Sequence, residues 1–167
     1  GLNPKSAKSG STSYETAIEM LGNQDEYDIN LLFIPGLFSA EHGTLINKAI
    51  DMCEARQDTF FVFDTILYDG NLTDATSQAE GFDTNYAGTY WPWIQFMDVE
   101  SKFRWVPPSV AVAEAYSFND KVSNPWFAPA GLSRGILRAV QAERKLLESQ
   151  RNTLYKSNVN PIATFPG

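Results

Sequence analysis

An α/β fold, with a mixed and mainly parallel sheet covered by helices, is the class this sequence predicts, and three observations carry it. The runs Ile29-Asn30-Leu31-Leu32-Phe33-Ile34 and Phe60-Phe61-Val62-Phe63 are nearly continuous in apolar residues, as expected of strands buried on both faces. Between them Leu45, Ile46, Ala49, Ile50 and Cys53 recur with the 3.6-residue rhythm of an amphipathic helix. Strand, helix and strand in that order form a crossover unit, which joins parallel strands and lays its helix on the sheet.

The other elements follow from punctuation and period. Residues 3–12 are rich in Ser, Lys and Gly, so an exposed loop is expected over 1–12. Thr12 and Glu15 have capping-box spacing, and Tyr14, Ala17, Ile18 and Leu21 share one face of a helix that Gly22 ends. Pro35-Gly36 is expected to stop the first strand. Asp69-Gly70-Asn71 reads as a turn, and Thr73 to Glu80 as a short helix. Tyr86 to Phe96 reads as a third strand interrupted by Pro92, followed by a polar loop from Asp98 to Lys102. Pro107 and Pro108 suit the first turn of a helix, where amides lack partners anyway. The following Val110, Ala111, Val112, Ala113, Ala115 and Tyr116 predict a largely buried helix with small side chains for close packing. Asn124 to Gly131 is a rigid aromatic loop, and Gln141 to Gln150 is expected to be helical.

Composition bounds the function. A chain of 167 residues suits a single domain over 1–167. Hydrophobic content of 43% and aromatic content of 13% argue against disorder. A net charge of -7 disfavours nucleic acid and anionic membranes, which select basic surfaces. No stretch has the apolar length of a membrane span, so direct membrane insertion is not expected. The lone cysteine, Cys53, excludes an internal disulfide framework, and its apolar helical setting predicts a buried, inert thiol. Gly1 at one end and the turn-like Phe165-Pro166-Gly167 at the other suggest a piece of a larger protein.

Catalytic constellations are weak. Asp64 and Asp69 lie just beyond a strand, where open sheets place ligand groups, and Asp74 would complete a carboxylate set for a hard cation. The spacing matches no specific metal loop, so caps and turns are the preferred reading. His42, beside Ser39 and Glu41, invites a triad, but adjacency does not supply triad geometry; a surface or capping role at the helix start is expected. Ser109 lacks a nucleophile-elbow pattern and fits helix initiation. One His and one Cys cannot build an ordinary zinc site, and the glycines form no nucleotide-binding fingerprint. No cofactor or metal is expected. Trp91, Trp93, Trp105 and Trp126 would serve as a carbohydrate platform, as locks for irregular loops, or as anchors for a neighbouring subunit.

One set of landmarks is more specific. Tyr27-Asp28-Ile29-Asn30-Leu31 leads to Pro35-Gly36, and then come Tyr90-Trp91-Pro92-Trp93-Ile94, Trp105-Val106-Pro107-Pro108-Ser109 and Asn124-Pro125-Trp126-Phe127-Ala128-Pro129-Ala130-Gly131. Leu154-Tyr155, Asn160-Pro161-Ile162 and Phe165-Pro166-Gly167 complete the series. In this order, and over most of residues 14–167, the chain resembles the contractile tail sheath proteins of myovirus-like phages.

The resemblance implies a three-layer sheath-core domain with long aromatic-proline loops. It implies a non-enzymatic structural subunit of the virion tail, made and assembled in the bacterial host cytoplasm. Copies of such a subunit polymerise around the tail tube and contract to drive it through the host envelope. Partners would be other sheath copies, the tail tube protein, and the baseplate and tail terminator proteins. Trp105, Pro107, Pro108, Trp126, Pro129 and Arg134 become structural or interface candidates, and acidic surfaces around Glu41, Asp98 and Glu100 become candidates for meeting basic partners. Family members continue past Phe-Pro-Gly into a C-terminal strand and arm, and many carry an outer insertion domain; neither is in this sequence. The competing classes are a small α/β hydrolase or carbohydrate-modifying enzyme using His42 or a pair among Asp64, Asp69 and Asp74, and a carbohydrate-binding module using exposed Trp91, Trp93 or Trp126.

Overall fold

The computed structural model describes residues 9–165 apart from Pro125. Its first half is the expected crossover: α1 (Ser9–Leu21), β1 (Leu31–Phe38), α2 (Ser39–Arg56) and β2 (Phe60–Asp64). β1 and β2 are parallel, with Leu31 opposite Phe60 and Phe33 opposite Val62. The apolar stripe of α2 faces Phe61 and Phe63, and Ile18 of α1 closes the same core. Cys53 lies inside it, and burial pushes its thiol up to about 11, which keeps it protonated and inert.

Two boundaries differ from expectation. α1 begins at Ser9, so residues 9–12 are helical where a loop was expected; residues 1–8 of that loop lie outside the described residues. β1 runs through Pro35-Gly36 instead of ending there. The pairing shifts register between Phe33 and Phe38, and Gly36 takes a φ of 96° that only glycine adopts freely. The dipeptide therefore marks a bulge, and the strand resumes with Leu37 and Phe38 buried.

Past β2 the chain forms α3 (Leu72–Ala79), whose N-cap Asn71 accepts a hydrogen bond from the Asp74 amide at 2.9 Å. β3 (Ala87–Trp91) then pairs parallel to β2. The single interrupted strand expected over Tyr86 to Phe96 is two strands in two sheets. Trp91-Pro92 is a cis peptide, and β4 (Ile94–Met97) departs into a small antiparallel sheet. Its partner β5 (Phe103–Val106) was not foreseen. The polar stretch between them is a hairpin turn in which Asp98 Oδ1 accepts the amides of Glu100 and Lys102, both at 2.9 Å.

The remaining elements are α4 (Pro108–Val122), α5 (Gly131–Arg134), β6 (Gln141–Ala142), α6 (Glu148–Lys156) and β7 (Val159–Pro161). The helix expected from Gln141 to Gln150 is a correction: residues 141–142 pair with β4 and the helix starts only at Glu148. Glu143 donates its amide to Trp93 O at 2.8 Å, so this backbone is already committed to the small sheet. β7, only three residues long, completes the main sheet beside β3. The strand orders are β1-β2-β3-β7 and β5-β4-β6.

Three layers result. Helices α1, α2, α3 and α6 cover the face bearing Phe61, Phe63 and Trp91. α4 covers the other face, where Tyr116 stacks on Phe60 and shares a hydroxyl hydrogen bond of 3.2 Å with Tyr90. Gly88 leaves room for this layer, since a Cβ there would stand 3.0 Å from Phe60 Cζ.

Arg56 ties the bottom of the fold together. Its buried guanidinium donates to Leu21 O and Tyr27 O, to Thr59 Oγ1, and to both oxygens of Asp58 at 2.8 and 3.0 Å. One side chain thus satisfies carbonyls at the end of α1 and in the following loop while clamping the turn into β2. At the opposite end Trp93 stacks on Phe38 at 5.7 Å, meets Tyr68 edge-on at 5.7 Å, and donates its indole N–H to Ile66 O; Tyr68 in turn packs on Trp105. These rings fasten the small sheet to the large one.

Arg56→Ala should lower the unfolding free energy by about 3 kcal/mol or more in urea denaturation, because two carbonyls and a carboxylate lose their donor together. The Arg56 hydrogen bond holds the Asp58 carboxyl below its usual range, so the Asp58 part of this clamp is present above about pH 4 and is lost as pH falls through the depressed value, while the bonds to the two carbonyls persist. Trp93→Ala should cost about 3 kcal/mol, and hydrogen exchange should rise first in β4 and β5.

Candidate functional site

Most residues with catalytic potential are engaged with structural partners. Asp64, at the end of β2, is 1% exposed and accepts the Ser109 amide at 2.9 Å and the Ser109 hydroxyl at 2.6 Å. Pro107 and Pro108 have no N–H, so Ser109 carries the first free amide of α4, and Asp64 caps it from another strand. Burial pushes the Asp64 carboxyl up to about 6, and the two Ser109 hydrogen bonds oppose that rise. Asp69 pairs with Arg144 at 3.3 Å, and Asp74 stands in the first turn of α3. Among the described residues no three His, Cys, Asp or Glu side chains group as a metal site.

His42 corrects the surface expectation. It is buried, and its Nδ1 accepts the Phe38 amide at 3.0 Å, capping the start of α2 from inside; Ser39 Oγ donates to Thr65 O. Both groups face backbone, so the triad reading loses its geometry. The carbohydrate platform loses its rings in the same way. Trp91 is in the core, Trp93 and Trp105 are half-buried in the aromatic junction, and Trp126 alone of the four is exposed.

The interface candidates divide into two groups at opposite ends of α4. Trp105, Pro107 and Pro108 belong to the junction and the helix start, with Pro108 buried. Trp126 and Arg134 come together through a residue the sequence did not single out. Trp126, 79% exposed, stacks on Phe127 at 6.5 Å, and the Arg134 guanidinium lies over the Phe127 ring at 4.7 Å. Asn119, buried in α4, donates to Phe127 O at 2.9 Å and fixes this loop to the helix. Pro129 is half-buried in the same loop, while its Pro125 lies outside the described residues.

The outward side of α4 extends this patch. Phe118 and Val122 are exposed there, and Leu132 and Ile136 are exposed beside them. The inward side is Ala111, Val112 and Ala115. The outward side is mixed: Val110, Phe118 and Val122 are exposed among the exposed Glu114, Ser117, Asp120 and Lys121. The acidic surfaces at Asp98 and Glu100 are already matched within their hairpin, by Arg104 at 3.0 Å and Lys102 at 2.8 Å.

This three-layer arrangement is similar to that of a known sheath chain. A sheath chain from an extracellular contractile injection system, PVC, in its contracted state superposes with a TM-score of 0.65 over 90% of this chain and 40% of its own, at 21% identity. Phage proteins carry the likeness into sequence. The chain is 33% identical over 98 residues to the tail sheath protein of Vibrio phage KVP40, and 31% identical over 101 residues to that of Enterobacteria phage T4. These matches cover 58% and 60% of this chain and 14% of each relative, so the chain spans a small part of the proteins it resembles. No protein-family model matches it.

Asp64 supplies a test of the site's internal bracing. Its carboxyl binds a proton more tightly folded than unfolded, so its contribution is fully present below about pH 4 and declines as pH rises through about 6. Asp64→Asn should flatten the stability change across that window, while Asp64→Ala should cost about 1–3 kcal/mol by leaving the Ser109 amide without its acceptor. Urea titrations at several pH values measure both.

Proposed function

We propose that this chain is the structural core of a contractile tail sheath subunit. Copies polymerise around a tail tube, and the sheath shortens to drive the tube through the host envelope. The observation that carries this reading is the coincidence of two independent likenesses, a sheath fold over 90% of the chain and 31–33% identity to two phage tail sheath proteins. The exposed Trp126, stacked on Phe127 with Arg134 over that ring, supports it, since tryptophan and arginine are enriched where another protein sits.

The protein acts in the virion tail after assembly in the host cytoplasm. Tail tube, baseplate and tail terminator proteins are its partners beside further sheath copies. Contraction needs no catalytic residue, nucleotide or metal, because the work comes from the free-energy difference between an extended and a contracted array. A heterologous interface repeated between identical subunits propagates into an open helical tube.

Negative-stain electron microscopy of the purified full-length protein carrying this chain should show regular tubes or stacked rings. Folded monomers across all concentrations, with and without a tail tube, would contradict the reading.

A further inference from the structure

Asn119 in α4 and Leu146 before α6 are buried, and between them none of the described residues 120–145 is. The stretch nonetheless holds itself together. Trp126 stacks on Phe127, and the Arg134 guanidinium lies over the same ring. Its backbone bonds are equally local. The Phe127 amide donates to Asn124 O at 3.0 Å, Ala130 to Ala128 O at 2.9 Å, and Gly135 to Gly131 O at 3.1 Å.

Its ties to the rest of the molecule are few. At one end Asn119 Nδ2 donates to Phe127 O at 2.9 Å, and at the other the Val140 amide donates to Gln95 O at 2.8 Å. Between these, the one polar tie to α4 among the described residues is the Arg138–Glu114 pair. It spans 3.8 Å with Arg138 83% exposed, and such a pair contributes little. The Asn119 tie is partly offset. Asn119 is 2% exposed, and its Oδ1 is buried without a donor among the described residues, which raises the free energy of the closed arrangement.

We infer that residues 126–139 form a strap, tied at Asn119, that comes off α4 and unravels as one unit while both sheets stay folded. The contacts within it depend on one another. Phe127 carries the carbonyl that Asn119 holds, and its ring carries Arg134, so release at Asn119 frees the whole stack. Once off the helix, a four-residue α5 is too short to persist in water. A segment with few buried contacts and few outside bonds opens at far lower free energy than the core. The molecule then has two states short of unfolding, strap closed and strap open.

Hydrogen–deuterium exchange in the full-length protein, held as single subunits and read by mass spectrometry, tests this. The bonded amides of Phe127, Ala130 and Gly135 should exchange together, about a hundredfold or more faster than the β2 amide of Phe61, which donates to Tyr86 O. Gly131 has a φ of 77° and nothing within 4 Å of an added Cβ, so Gly131→Ala strains the closed strap without a clash. That variant should speed exchange about fivefold or more at all three amides, including Phe127, whose own bond does not involve residue 131. Tryptic cleavage after Arg134 should rise by the same factor, since cleavage follows the open population.

Exchange as slow as that of Phe61 would overturn the inference, because the segment would then open only with the whole fold. Exchange at the rate of an unstructured chain would overturn it too, since there would be no closed state. So would a Gly131→Ala effect confined to Gly135, which would mean separate turns in place of one unit.

Discussion

A buried carboxyl group is the constraint on which the arrangement of layers depends. Asp64 ends a strand that is buried from Phe61 onward, and a charged or hydrogen-bonding group there is costly unless another element supplies donors. Ser109 supplies two, and it can do so only because the preceding prolines leave its amide as the first free donor of α4. The pair therefore fixes where α4 starts on the sheet. From that point the helix direction follows, with Tyr116 between Phe60 and Tyr90, and Asn119 held to the loop carrying Trp126. The outward face is placed by an interaction on the inward one.

Rigidity elsewhere serves the same end. Arg56 gathers the end of α1, the next loop and the start of β2 into one hydrogen-bonded knot, and the Trp93 stack binds the small sheet to the large. Both devices hold neighbouring elements at fixed separation and resist sliding between them. Neither offers chemistry to a substrate: the cations, carboxylates and rings involved are engaged with backbone and with one another.

Much of the fold was legible in particular residues. The apolar runs at 29–34 and 60–63 and the period of Leu45 to Cys53 predicted the crossover, because continuous burial and helical period leave little freedom in how such segments pack. The double proline predicted the start of α4. Pro92 was read as an interruption of one strand, whereas it separates strands of different sheets. The error at Gln141 to Gln150 has a similar cause. Local composition favours a helix, but pairing with β4, distant in sequence, commits the first residues to a strand. β5 and β7 are too short to carry a period of their own. In the candidate site Trp126 and Arg134 were visible as residue types, while Phe127 as their link and the exposure of Phe118, Leu132 and Ile136 were not.

The sequence by itself determined the class of fold, the sheath likeness and the start of α4, because each is written in local period, in ordered motifs or in the missing amides of proline. Tertiary structure alone decided which side the sheet covers, that Asp64 belongs to Ser109, that His42 faces backbone, and that Arg134 lies over Phe127. Each of these depends on a partner brought near by packing, and such distances are set by the sum of many contacts that no local stretch of chain records.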